Sequence, residues 1–379
     1  LEVELGFLRV FLALAVISAH TSEVLGFPLV SGRTAVECFF VISGFYMAMV
    51  LETKYLRVAS KPWITFMKSR LVRLFPVYLL TIAASILLIL LGGNIFLGHS
   101  VFPIRDMFEY PLTTWLPIVI SNITIVTQDW SLFAAINPEG SLHFTSDFRS
   151  AEAPAYQYFL VPQAWTVGLE ITFYLLAPLL ARRSTRTLIG LLFGSIALRV
   201  ICGMFFGLRA DPWSYRFFPF ELSIFIAGML AYRFRSYIPA GTPRFLPLGT
   251  VLLAFLAMPF LKAVPPVYLL ATLAFPLVFA LFVPAIFEST KKSAVDRWIG
   301  ELSYPVYLVH ILVISAFASV GLHLDGATAI VASLAAGIIV VLAFDRPLEA
   351  RRQRGLERTF RQAGIVGQES GVRPTSPIR

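Results

Sequence analysis

Residues 267–287 read VYLLATLAFPLVFALFVPAIF, an apolar stretch without one charged side chain. A bilayer core about 30 Å thick takes about 20 such residues as an α-helix, and a helix that is apolar all round must be buried in protein or lipid. The stretch is read as a membrane span. Outward from it in both directions, comparable runs lie at about 5–25, 34–52, 74–92, 164–180, 187–207, 217–232, 245–261, 302–320 and 327–344. Composition agrees: 57% of the 379 residues are hydrophobic and 14% are charged, roughly half the charged share of a soluble protein. A soluble domain is excluded. The expected fold is an all-α integral membrane bundle of about ten transmembrane helices.

The net charge of +9, from 31 Lys and Arg against 22 Asp and Glu, would point to nucleic acid in a soluble chain. In a membrane chain it marks cytoplasmic loops instead, and no nucleic-acid partner is expected. With the N-terminus inside, Lys54 to Arg73, Arg182 to Arg186, Arg233 to Arg244, Lys291 to Arg297 and the arginines after residue 345 all fall inside. The outer segments then hold only Arg33, Arg105, Arg149, Arg209, Arg216 and Lys262. A shorter apolar segment at about 113–126 is broken by Pro117, Ser121, Asn122 and Thr124. If it crossed, every later basic cluster would move outside, so it is read as a re-entrant or interfacial piece of one outer region at about 93–163. Both termini are thus expected to be cytoplasmic, with residues 1–345 forming the transmembrane domain and 346–379 a basic, disordered tail near anionic lipid. The first run carries Arg9 and His20, too polar for the apolar region of a cleaved signal, and is read as a retained span. Cys38 and Cys202 sit in apolar runs and offer no disulfide framework; no metal-ligand spacing is present.

Ionisable groups at membrane depth cost about 2.5–3.5 kcal/mol each even on a lenient scale and mark functional candidates. Arg9 and His20 are eleven residues apart, within about 20° on one helical face and about 16 Å along the axis. His20 is the natural general base near neutral pH, while Arg9 alone reads equally as a snorkelling anchor. Glu37 lies near the depth of His20, where a carboxylate would orient the imidazole, or it is simply an acidic residue in a first helical turn. Ser43 and Gly44 permit close helix approach. Lys68, Arg70 and Arg73 precede the third run, and arginines at i and i+3 suit a phosphate clamp; positive-inside anchoring explains them as well. Glu170 sits among Trp165, Phe173 and Tyr174, with an ion pair to Arg199 as the alternative. Ser303, Tyr307 and His310 fall at i, i+4 and i+7 on one face, a polar stripe toward the bundle interior.

Six patterns occur in order: Arg9 with His20; Gly32, Glu37, Phe39, Phe40, Ser43, Gly44 and Phe45; Arg70, Arg73 and Pro76; Trp165, Glu170, Phe173, Tyr174 and Pro178; Ser303, Tyr304, Tyr307, Leu308 and His310; and Asp345 with Pro347. Together they resemble acyltransferase family 3, the integral-membrane O-acyltransferases of bacterial surface polysaccharides and Nod factors. Gly168 stands where many members have Ser, and Asp345 where many have Glu. The resemblance implies acyl-CoA, by default acetyl-CoA, as co-substrate on the cytoplasmic side, with no bound cofactor. It also implies a hydroxyl acceptor, commonly on an outward-facing sugar, and a multi-pass place in the bacterial inner membrane. On that basis His20, Arg9 and Glu37 are the expected catalytic group and Arg70, Arg73 and Lys68 the donor site. Glu170, Ser43, Tyr307 and His310 are expected to line the acceptor cavity. A transporter or flippase of a lipid-linked or anionic solute would line its path with the same charges, although no inverted repeat accompanies them.

Overall fold

The computed structural model describes residues 5–57, 61–95, 107–237 and 245–348. Among these residues the long helices are α1 (Gly6–His20), α2 (Gly32–Thr53), α3 (Pro62–Leu90), α4 (Leu112–Thr124), α5 (Trp165–Ala181), α6 (Thr185–Phe205), α7 (Phe218–Arg233), α8 (Leu246–Ala257), α9 (Pro265–Thr290), α10 (Ala294–Ser319) and α11 (Gly326–Val340). One antiparallel hairpin, β1 (Ala134–Ile136) with β2 (Leu142–Phe144), interrupts an otherwise helical architecture. Most of the tail expected from residue 346 lies outside the described residues.

Eight helical stretches, containing α2, α3, α5, α6, α8, α9, α10 and α11, are long and apolar enough to cross a membrane. The other two of the expected spans, α1 and α7, have 15 and 16 residues, about 23–24 Å of helix. They sit inside the bundle, α1 against α10 and α2, and α7 against α2 and α6. Protein rather than lipid therefore surrounds the polar side chains they carry. The peripheral helices expose the apolar side chains that a lipid belt requires, Leu253, Leu270, Leu281, Val331 and Ile339 among them.

Contacts between helix ends fix the direction of the chain. The Asp296 carboxylate at the start of α10 accepts hydrogen bonds from the backbone N–H groups of Gly6 and Phe7 at 2.9 and 3.0 Å. It caps α1, which has no side-chain cap of its own. Gly32 at the start of α2 lies against Ala19 near the end of α1, so α2 runs back. Arg233 at the end of α7 pairs with Glu52 at the end of α2 (2.9 Å) and donates to the Ala181 carbonyl at the end of α5 (2.8 Å), so all three end on the face where α1 begins. The end of α3 lies on the opposite face, where the Asn94 N–H meets Ser319 Oγ at the end of α10. The connection from α3 to α5 therefore starts and finishes on one face, and α4 does not cross. It buries Thr114, Ile118, Ser121 and Asn122 and exposes Leu112, Leu116, Ile120 and Ile123 along one stripe, the pattern of a helix lying at the membrane interface.

A close backbone contact joins α2 and α7. A Cβ on Gly44 would stand 2.0 Å from the Phe225 carbonyl oxygen, and one on Gly228 2.0 Å from that of Val41. Glycine at both positions lets the two backbones touch, and Phe40 stacks on Phe225 beside the crossing at 4.6 Å.

Outside the spans, the turn Gln128–Ser131 packs against α5. Gln128 donates to the Tyr78 hydroxyl at 2.9 Å, and Tyr78 donates to the Asn122 carbonyl, tying α3 to α4. Asp129 is buried beside Gly168, where a Cβ would lie 3.2 Å from its carboxylate. Burial raises the Asp129 pKa from 3.8 to about 6 against the pull of the backbone N–H groups of Asp129 and Trp130. The fold thus prefers the neutral acid: this group's contribution to stability is greatest below about pH 4, declines as pH rises to about 6, and is flat above.

Two outcomes follow for purified protein in detergent. Gly44→Ala and Gly228→Ala are each expected to lower the thermal midpoint, overpacking costing about 1–3 kcal/mol. Gly190→Ala, which meets nothing within 4 Å, should leave it unchanged or raise it. Equal behaviour of all three would refute the backbone contact. Asp129→Asn should flatten the change in midpoint between about pH 4 and about pH 7 relative to the parent protein; identical pH curves would show that Asp129 titrates normally.

Candidate active site: two chambers that meet at Tyr307

The stripe on α10 organises the interior. Ser303, Tyr307 and His310 are all buried, and the Tyr304 hydroxyl donates to the Leu74 carbonyl at 2.8 Å, locking α10 to α3. Two cavities open on either side of this stripe, and both are lined by Val36 and Tyr307.

The smaller chamber, about 110 Å³, carries Arg9 from α1, Ser43 from α2, Arg70 and Arg73 from α3, Glu170 from α5, and Ser303, Tyr304 and Tyr307 from α10. Glu170 Oε1 accepts hydrogen bonds from Ser43 Oγ at 2.7 Å and the Tyr174 hydroxyl at 2.6 Å. Arg70 lies 5.9 Å from the Phe66 ring centroid, which fixes its stem. Three arginines from two helices thus converge on one cavity with one carboxylate, held by neutral hydroxyls.

The larger chamber, about 490 Å³, is lined by His20, Arg33, Arg149, Gln163, Trp165, Tyr215, Arg216 and Tyr307 among others. His20 ends α1 and exposes its surface into this space. Its ring stands 5.3 Å from that of His310, centroid to centroid. His310 Nδ1 lies 2.6 Å from the Tyr307 carbonyl oxygen; a carbonyl only accepts, so Nδ1 carries a proton and donates it to this bond. His310 Nε2 is buried without a hydrogen-bond partner among the described residues. The Tyr307 hydroxyl is shared with Thr166 Oγ1 at 2.8 Å and donates to the Gln163 carbonyl at 3.2 Å, so the wall between the chambers is pinned to the start of α5.

Most of the residues singled out in the sequence meet here. Arg9, Ser43, Arg70, Arg73, Glu170 and Tyr307 share the smaller chamber, while His20 and His310 pair at the larger one. Two expectations are corrected and one alternative is set aside. Glu37 forms an ion pair with Arg33 at 3.0 Å rather than orienting His20, whose neighbouring ring is His310. Lys68 is exposed and lines neither chamber, because α3 already begins at Pro62 and the residues from Lys68 to Arg73 are helical rather than a loop. Arg199 pairs with Glu221, leaving Glu170 to its hydroxyl partners.

The sequence reading passed over the outer arginines, which sidedness alone accounted for. Arg33 and Arg199 both donate to the Ser214 carbonyl, at 2.9 and 2.6 Å, while pairing with Glu37 and Glu221 respectively. This buried quartet anchors the segment before α7 and sets Tyr215 and Arg216 into the larger chamber. Arg216 also pairs with Asp211 at 2.6 Å and lies 4.2 Å from the Trp165 ring centroid.

Against known proteins, a family model described as an acyltransferase domain matches residues 2–346. No curated protein and no solved structure matches the chain significantly.

Breaking a buried ion pair from one side strands a charge and costs about 3–5 kcal/mol, whereas replacing both partners with apolar groups is far milder. Glu221→Leu is therefore expected to lower the thermal midpoint sharply, with Arg199→Leu added in the same protein restoring part of the loss. An additive double mutant would contradict the pairing.

Proposed function

The chain belongs to acyltransferase family 3 and is a membrane acyltransferase; we propose that it moves an acetyl group from acetyl-CoA to a hydroxyl of a surface or secreted glycan. The observation that carries this reading is the shared wall: a chamber rich in arginine and a chamber holding His20 touch at Val36 and Tyr307. An anionic donor and a neutral hydroxyl meet there without either crossing the bundle.

On this reading Arg70 and Arg73 hold CoA phosphates at the mouth of the smaller chamber, a task for which guanidinium groups are suited. Arg9 steers the pantetheine arm toward Tyr307. On this reading the chamber faces the cytoplasm, where CoA thioesters are made, with both termini cytoplasmic in a bacterial inner membrane; the excess of Lys and Arg in the loops on that face supports it. His20 takes the proton of the acceptor hydroxyl as its oxygen attacks the thioester carbonyl. The new C–O bond forms, the C–S bond breaks, and the proton passes from His20 to the departing CoA sulfur. An acyl-histidine route would place the acyl group on His20 first and on the acceptor second. His310, fixed by the Tyr307 carbonyl, sets the His20 ring from the side. Glu170 is a fixed acceptor of hydrogen bonds in the donor chamber, not a base beside His20. The family match favours acyl transfer over the transporter reading.

The test is acceptor-dependent CoA thiol release by purified protein in lipid. His20→Ala is expected to abolish release while the protein folds normally, and retained release would remove His20 from the chemistry. Arg70→Gln and Arg73→Gln should each raise the KM for acetyl-CoA about ten- to a hundredfold, the loss of a charge-assisted hydrogen bond worth about 1.5–3 kcal/mol. Lys68→Gln should leave it unchanged. An unaltered KM in both arginine variants would sink the donor site.

A further inference from the structure

The charge of the larger chamber exceeds what acyl transfer to a neutral hydroxyl requires. Arg33, Arg149 and Arg216 line it, and among the described residues lining it there is no Asp or Glu. Arg33 is balanced by Glu37. Arg149 and Arg216 instead converge on one carboxylate: Arg149 Nε and Nη2 reach Asp211 Oδ2 at 3.1 and 2.7 Å, and Arg216 Nε reaches Oδ1 at 2.6 Å. Two guanidinium groups against one carboxylate leave a unit of positive charge at the chamber wall.

That charge is held in place. Arg216 lies within 4.2, 4.6 and 5.6 Å of the ring centroids of Trp165, Tyr215 and Phe148, and its Nη2 donates to the Tyr215 hydroxyl at 2.6 Å. Two donor nitrogens of each arginine are engaged, which leaves N–H groups of both forks for a ligand. The residue before Tyr215 is pinned by the buried quartet at the Ser214 carbonyl. The Arg216 guanidinium, fixed in an aromatic-walled space with its side chain 11% exposed, binds an anion with little ordering cost and weaker solvent screening than at the exposed Arg149. The volume of about 490 Å³ falls within the range of small-molecule sites, roughly 300–1,000 Å³.

We propose that this chamber selects an acceptor carrying a negative charge, the carboxylate or phosphate of an acidic sugar, bound by Arg149 and Arg216 with its hydroxyl presented to His20. The proposal rests on the reading of the larger chamber as the acceptor's. The anion enters against the outer wall, and the aromatic side chains Trp165 and Tyr156 flank the sugar ring. A neutral sugar would leave the excess charge uncompensated.

The experiment uses the full chain, purified, with methyl glucuronide, glucose 1-phosphate and methyl glucoside as probes. Thermal stabilisation is measured without acyl-CoA, and CoA thiol release with it. At least one charged sugar is expected to stabilise the protein where the neutral one does not, and to give about tenfold or greater kcat/KM; whichever charged probe does so identifies carboxylate or phosphate. Arg149→Gln, whose side chain is 63% exposed and so is tolerated by the fold, should cut the charged-to-neutral ratio about tenfold, and Arg216→Gln at least as much. Thiol release that is as fast with methyl glucoside as with both charged sugars overturns the anion site and leaves acyl transfer standing. A charged-to-neutral ratio unchanged by Arg149→Gln overturns it too. Arginine-dependent stabilisation by a charged sugar without thiol release from any acceptor would uphold the anion site and refute acyl transfer.

Discussion

Charge inside a membrane bundle must be answered by protein, because lipid offers neither water nor counterion. In this chain the answers differ by place, and the differences separate scaffold from site. Between α2, α6 and α7, Arg33, Glu37, Arg199 and Glu221 pair two by two around the Ser214 carbonyl. Their charges cancel, and what they deliver is position. In the smaller chamber Glu170 is met by two hydroxyl groups while arginines gather opposite. In the larger one, two arginines share a single carboxylate. The two arginines on Asp211 thus place a unit of positive charge at a cavity wall, whereas the quartet is balanced pair by pair.

The backbone contact of α2 with α7 supports both chambers. Glycine at residues 44 and 228 lets the helices touch while Val36 and Ser43 on α2 face the chambers. The Asp296 cap does the same for α1, holding its first turn against α10 so that Arg9 and His20 each meet a different cavity. Helices too short to span a bilayer alone can be used here because these contacts, rather than lipid, fix their depth.

How much of this was legible depended on whether the signal was local. Apolar runs of about 20 residues gave the bundle, and the basic loops assigned α4 to one face correctly because charge placement is a property of each loop alone. Ser303 with Tyr307 and His310 was legible since helical spacing sets azimuth, whereas Arg9 and His20, near one face of α1, meet different chambers. The same arithmetic, applied further, separates Lys68 from Arg70 by about 200°, which is why Lys68 faces outward. Glu37 was misjudged by depth without azimuth, although Arg33 stood one turn before it, the ordinary spacing of an ion pair. The pairing of Arg199 with Glu221 required the rotation of two helices about each other, which no single sequence states. Arg149 lies in an irregular segment 62 residues before Asp211, and Arg216 five residues after it. Only the fold brings Arg149 to that pair, and sidedness alone accounted for both arginines.

The proposed function requires donor and acceptor to approach from opposite faces and meet at Tyr307. The direct measurement is transfer by oriented protein in sealed vesicles, with acetyl-CoA confined to the face where α1 begins and a membrane-impermeant glycan acceptor confined to the other. The account predicts acetylated acceptor on its own side and free CoA on the first. Product formed only when both substrates share one face would contradict it.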